Sequence, residues 1–102
     1  ELRRAFQHRI TLLDETVKAS QLGIQGIRQS LLTLLRQAGE SELGDRPVAT
    51  HLSGTIQTRH HELLRQQDLL IQQRQERAEI ESQYQAALLR YREMKDDARS
   101  NS

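Results

Sequence analysis

Residues 6–38 decide the fold, and they read FQHRITLLDETVKASQLGIQGIRQSLLTLLRQA. Within this stretch, apolar or small residues recur at alternating spacings of three and four, the heptad pattern of a helix with one buried face. We call these positions the first seam: Phe6, Ile10, Leu13, Val17, Ser20, Ile24, Ile27, Leu31, Leu34 and Ala38. Ser20 is the one polar member of this seam. Because the other nine positions fit the heptad spacing, it predicts a single helix over about residues 2–38.

Leucines beside the first seam widen its apolar face at Leu12, Leu32 and Leu35. A face this wide suits packing against more than one neighbouring helix better than a two-stranded zipper. Gly23 and Gly26 are exceptions inside this helix, because each costs about 1 kcal/mol relative to Ala in a helix interior. Two readings stay open: the helix is weak or kinked there, or another backbone approaches closely.

The stretch GESELGDRP at residues 39–47 contains two glycines and the only proline, and it predicts the turn. Gly39 can adopt the left-handed conformation that ends a helix. Asp45 can cap the next helix, with Pro47 tolerated in its first turn. Thr50 is a rival cap, so the second helix is expected to begin between residues 46 and 55.

A second long helix is predicted over about residues 48–97, because good helix formers dominate and no Gly or Pro follows Gly54. Residues 98–102 are expected to form a frayed tail. The heptad repeat of this second helix is called the second seam. It comprises Ile56, Leu63, Leu70, Arg77, Tyr84 and Tyr91 at spacings of seven, with Ile80, Ala87 and Met94. The central QQRQER at residues 72–77 is polar all round, which is typical of a wet layer, a register device or a shift of phase.

The composition favours helices over sheets and excludes several kinds of site. The chain has 102 residues with three aromatic residues and no cysteine, and three rings are too few for the core of a sandwich or barrel. Without cysteine there is no disulfide, thiolate metal site or cysteine nucleophile, and the compartment stays undetermined. No apolar run is long enough for a membrane span, and a net charge of +1 gives no general attraction for nucleic acid.

The predicted fold class is therefore all-α, a single antiparallel helical hairpin of two long helices over residues 1–102. At about 1.5 Å per residue the helices are about 55 Å and about 78 Å long, so they cannot cover each other fully. Because a two-helix hairpin has no enclosed core, we expect pairing into a four-helix bundle or coiled coil, as a homodimer or with another helical protein. The predicted interface comprises Phe6, Ile10, Leu13, Val17, Ile24, Ile27, Leu31, Leu34, Ile56, Leu63, Leu70, Ile80, Tyr84 and Tyr91.

The sequence predicts no enzyme, no metal site and no cofactor. His60 and His61 point about 100° apart on a helix, so they cannot chelate an ion together as an i, i+4 pair could. We expect His60 to be half-buried near Ile56 and Leu63, and His61 to face outward. Solvent-exposed charges with intermittent ion pairs are predicted for Arg74, Glu76, Arg77, Glu79, Glu81 and Arg90.

One short motif resembles a signalling family. His61-Glu-Leu-Leu-Arg65 is similar to the His-Glu-Leu-Arg core of the dimerisation helix of sensor histidine kinases. That family's phosphoacceptor lies on the first helix of its hairpin and is followed by a proline. His61 lies on the second helix with no such proline after it, so the phosphoacceptor role is not carried over.

The leading functional expectation is a non-enzymatic interaction module for dimerisation or docking to a helical partner. The glutamine-rich second helix is similar to periplasmic hairpins of secretion adaptors and to sensor regions of membrane receptors. That resemblance implies the alternative, an extracytoplasmic segment of a bacterial membrane sensor or transport adaptor. A small RNA-binding dimer is a further reading, based on the basic residues Arg3, Arg4, His8 and Arg9. Because the chain starts at Glu1, we expect it to be a piece of a longer protein.

Overall fold

The computed structural model describes residues 2–44 and 49–100 of the chain. This part of the chain forms two helices, α1 over Leu2–Leu43 and α2 over Thr50–Ser100, which pack side by side as a hairpin. The molecule is a rod with extents of 87 × 16 × 15 Å. The predicted all-α hairpin is therefore confirmed. Neither described helix contains a segment long and apolar enough to cross a membrane.

The helix bounds differ from the predicted ones mainly at the end of α1. The helix continues through Gly39, which was expected to end it, and stops at Leu43. The Ser41 Oγ donates to the Gln37 carbonyl oxygen at 3.1 Å, and the Gly44 N–H donates to the Glu40 carbonyl oxygen at 3.1 Å. A helical glycine costs about 1 kcal/mol but does not break the hydrogen-bond ladder, so the helix can run past Gly39.

Helix α2 begins at Thr50, inside the predicted window, and continues to Ser100, beyond the predicted end at residue 97. The Ser53 N–H donates to the Ala49 carbonyl oxygen at 3.0 Å, which closes the first turn of α2. Residues 98–100 of the expected frayed tail are therefore helical. The capping roles predicted for Asp45 and Pro47 lie outside the described residues.

The two helices run antiparallel in a register fixed by contacts near the end remote from the turn and in the middle of the hairpin. Phe6 stacks on Tyr84 with ring centroids 5.3 Å apart, and Ser20 is hydrogen-bonded to Gln73. Because Leu2 lies in a recess shared with Leu88 and Tyr91, α2 continues past the start of α1. Its last nine residues, 92–100, are all exposed, as the unequal helix lengths predicted.

The core between the helices is only one side chain thick. Among the described residues, the buried ones are Ile24, Leu31, Ile80 and Tyr84. All remaining positions of the first seam are half-buried. The heptad spacing of residues 6–38 therefore identified the face of α1 that packs against α2.

Gly23 and Gly26 lie on the exposed side of α1, within an uninterrupted helix. A Cβ atom added at either glycine would meet no heavy atom within 4 Å. The close approach of another backbone, one of the two readings of these glycines, therefore does not occur within the hairpin.

Candidate functional site

The contact between the helices contains a polar layer at the level of Ser20. The Ser20 Oγ donates a hydrogen bond of 2.7 Å to the Gln73 Oε1, and the pair is partly buried. The one polar residue of the first seam thus faces the polar centre of α2. Leu70 before this centre is half-buried and Ile80 after it is buried, so the same face of α2 continues across the polar stretch. This continuity favours the reading of residues 72–77 as a polar layer rather than a shift of phase.

Arg77 forms the second polar contact between the helices, one turn further along α2. Its Nε donates to the Asp14 Oδ1 at 2.8 Å, and its Nη1 donates to the Glu81 Oε2 at 3.0 Å. The Gln85 Nε2 donates to the other oxygen of Glu81 at 3.2 Å. The hydrogen bond that Arg77 donates to the Asp14 carboxylate, reinforced by the one to Glu81, raises the pKa of the Arg77 guanidinium above its ordinary value, although partial burial opposes the shift.

Of the six charged residues predicted to be solvent-exposed, Arg77 and Glu81 are half-buried, because they lie at the contact between the helices, and the other four are exposed. The Arg77–Glu81 pair is an i, i+4 ion pair within one helix, of the kind that the sequence predicted. The Asp14–Arg77 pair crosses between helices and was not predicted. Sequence spacing finds partners within one helix, whereas a pair across the hairpin depends on the register of two segments 63 residues apart.

An aromatic pair lies at the end of the hairpin remote from the turn. The rings of Phe6 and Tyr84 stack at 5.3 Å with an interplanar angle of 30°, and the Arg9 guanidinium lies 5.9 Å from the Phe6 ring centroid. Tyr84 is 9% exposed, whereas Tyr91, one heptad later, is 54% exposed. The Lys95 Nζ lies 5.6 Å from the Tyr91 ring centroid. Tyr84 is therefore part of the packed core and Tyr91 is a surface residue.

The predicted interface residues, apart from Tyr91, are all buried or half-buried and lie on the helix faces that meet within the hairpin.

Another set of apolar side chains remains exposed. Among the described residues, the large exposed ones are Leu2, Leu12, Leu22, Leu32, Leu35, Leu43, Leu64, Leu69, Ile71, Leu89, Tyr91 and Met94. This exposed set includes the three leucines that widen the first seam.

The adjacent histidines are both exposed, with ring centroids 6.3 Å apart. The expectation that His60 is half-buried was wrong, because His60 lies beside the second seam rather than in it. His61 faces outward as predicted. Within the described residues, no group of three acidic, histidine or cysteine side chains is arranged to hold a metal ion.

An open groove of about 660 Å³ runs between the helices near the polar layer, and we call it the basic groove. Its floor includes the buried Ile24 and the half-buried Leu70. Its walls carry three cationic side chains, three glutamine amides and one leucine: Lys18, Arg28, Arg74, Gln21, Gln25, Gln67 and Leu22. None of the carboxylates in the described part of the chain lines it.

The heptad pattern does not single out the cations of the basic groove, because it marks apolar residues only. A signal is nevertheless present in α1, where Lys18, Gln21, Gln25 and Arg28 follow one another at spacings of three, four and three. Such a spacing places polar side chains on one helix face. The contribution of Arg74 from α2 requires the register of the hairpin.

No protein-family model, curated protein or solved structure matches the chain. Three features of the described residues bear on function: the thin core, the exposed apolar side chains and the basic groove.

Proposed function

We propose that the hairpin is a non-enzymatic interaction module that completes its core by packing against another helical surface. That surface belongs either to a second copy of the chain or to another helical protein. The observation that carries the proposal is the imbalance between the four buried core residues and the twelve large apolar side chains that remain exposed in the described residues. Helices of soluble proteins bury their apolar faces against neighbours, and a two-helix hairpin offers each face only one neighbour.

Part of the exposed apolar set lies on one side of the hairpin, along the basic groove. On α1, Leu32 lies four residues after Arg28 and Leu35 seven residues after it, so all three share a helix face. On α2, Leu64 and Ile71 lie three residues before and four residues after Gln67. We call the basic groove together with these four apolar residues the groove face. Its width across both helices suits a third helix lying along the hairpin.

The experiment that tests the proposal is sedimentation of the chain at micromolar concentration, together with circular dichroism. We expect association, and we expect the triple variant Leu32→Gln, Leu35→Gln, Leu64→Gln to weaken it while keeping the helix content. The matched control is Leu12→Gln, Leu69→Gln, Leu89→Gln, because these three leucines are exposed and lie outside the groove face. A fully helical monomer with cooperative unfolding, unchanged by the triple variant, would overturn the proposal.

A further inference from the structure

The cations of the basic groove are placed at its two ends. Lys18 on α1 and Arg74 on α2 flank one end, close to the Ser20–Gln73 pair that sets the register. Arg28 lies at the other end, ten residues after Lys18, which corresponds to about 15 Å along the helix. The apolar floor lies between these two ends.

The three cations of the basic groove form no ion pair within the described residues. Lys18, Arg28 and Arg74 are absent from the ion pairs of this part of the chain, which are Arg59–Glu62, Arg77–Asp14 and Arg77–Glu81. Asp14 lies one turn before Lys18 on the same helix, but its carboxylate is hydrogen-bonded to Arg77. The cations therefore remain available to carboxylates of a partner, and a groove lined by one sign of charge attracts the opposite sign.

The uncharged residues that line the basic groove indicate which kind of anionic partner fits it. A small anion would use the cations and leave the apolar floor and the exposed leucines of the groove face uncovered. Recognition of single-stranded bases uses aromatic side chains for stacking, and none of the residues that line the basic groove is aromatic. A helix with acidic side chains about two turns apart spans about 10 Å, which long, flexible Lys and Arg side chains can match across the groove. Apolar residues between those acids would cover the floor.

We infer that the basic groove binds an amphipathic helix of a partner protein, with acidic side chains directed at Lys18, Arg28 and Arg74 and apolar side chains over Ile24 and Leu70. This assignment rests on the proposed function and names the chemistry of the partner. The glutamines of the groove supply amides that can donate to or accept from polar groups at the edge of that helix.

The test uses a dye-labelled helical peptide of about 24 residues. The peptide contains two consecutive copies of a motif that has Glu at positions i and i+7 and Leu at positions i+3 and i+4. Binding to the full chain is followed by fluorescence anisotropy at low and at high salt. The groove variant is Lys18→Gln, Arg28→Gln, Arg74→Gln. The matched control is Arg36→Gln, Arg65→Gln, Arg90→Gln, which removes the same charge from exposed positions outside the groove.

We expect the groove variant to bind the peptide about tenfold more weakly than the control variant, which should resemble the unmodified chain. Replacing Glu by Gln in the peptide should have a similar effect, and high salt should reduce the difference. Circular dichroism of both variants should show unchanged helix content, because all six residues are exposed.

Three results would overturn the inference. Equal weakening in both variants would indicate attraction by overall charge. Groove-dependent binding of a single-stranded RNA, as tight as that of the peptide, would indicate a general polyanion site. Absence of peptide binding at micromolar concentration would also contradict it. If the chain nevertheless associates with itself in sedimentation, the acidic-helix inference fails while the proposed function stands.

Discussion

Ser20, the polar position of the first seam, donates a hydrogen bond of 2.7 Å from its Oγ to the Oε1 of Gln73 in the polar centre of α2. This pair and the Asp14–Arg77 pair together oppose a heptad slip of the hairpin. A slip of seven residues in one direction would place Ser20 opposite Ile80. A slip in the other direction would place Asp14 opposite Leu70. The first slip leaves the half-buried Ser20 hydroxyl facing an apolar side chain, which is costly, and the second separates the exposed Asp14 from Arg77.

The double variant Ser20→Val, Gln73→Leu tests this role. We expect a higher free energy of unfolding, by about 1 kcal/mol, because apolar side chains replace a partly buried polar pair. The register should become less unique, since a polar position in a seam specifies pairing at some cost in stability. Spin labels on cysteines introduced at positions 2 and 91 report the register. A single, unchanged distance in the variant would contradict a register role for Ser20 and Gln73.

The Asp14–Arg77 pair should contribute modestly to stability. A double-mutant cycle with Asp14→Asn and Arg77→Gln is expected to give a coupling of about 0.5 kcal/mol, because both side chains are partly exposed. Thermal unfolding of the four proteins provides the measurement, and the coupling should fall in 1 M NaCl. A coupling that does not respond to salt would contradict an ion-pair origin.

The pKa of Arg77 is raised in the folded chain, and it determines the pH above which the coupling energy between Asp14 and Arg77 is lost. A group whose pKa is raised on folding contributes its stability fully below its unfolded pKa and loses it as the pH rises through the folded value. The Arg77 contribution should therefore stay constant from about pH 6 to about pH 9, since both values lie well below the ordinary pKa of arginine. Repeating the cycle at these two values checks the expectation. A decline toward pH 9 would indicate that another group controls the contact.

Tyr84 and Tyr91 provide a matched comparison on one helix. Tyr84→Ala should lower the free energy of unfolding by about 3 kcal/mol, because it removes a buried ring stacked on Phe6. Tyr91→Ala should change it by less than about 0.5 kcal/mol at dilute concentration, because Tyr91 is exposed. Chemical denaturation of both variants makes the comparison. Equal losses would show that another surface covers Tyr91.

Substitutions at Gly23 and Gly26 test whether a second chain packs against the exposed side of α1. Each substitution by Ala should raise the free energy of unfolding by about 0.5–1 kcal/mol, because a helical glycine is replaced where nothing lies within 4 Å of the new Cβ. Thermal unfolding of Gly23→Ala and Gly26→Ala measures the effect. Loss of stability or of association in either variant would indicate that a second chain packs closely against this side.

The face of α1 that packs against α2 could be predicted from the sequence because helix periodicity is local. A residue such as Leu31 is buried for the same reason that Ile24 is, since both recur in phase with the turns of one helix. The end of α1 could not be predicted in the same way. Gly39 is compatible with both a helix interior and a helix end. It lies in the interior because the helix continues to Leu43.

The polar contacts and the basic groove depend on information that neither helix contains alone. Gln73 meets Ser20 only when the hairpin sets the two helices side by side. Arg74 likewise joins Lys18 only once the helices are side by side. Their juxtaposition follows from the antiparallel register, which a single helix's repeat leaves undetermined.

The polar layer divides the thin core into two blocks that need not open together. One block holds Phe6, Ile80 and Tyr84, and the other holds Ile24 and Leu31. Because each level of a two-helix rod contacts only the levels beside it, opening of the core spreads from level to level along the rod. The polar level has no apolar contact to hold it closed, so opening can stop there. Amide exchange should therefore show two separately protected stretches in α1, with faster exchange between them.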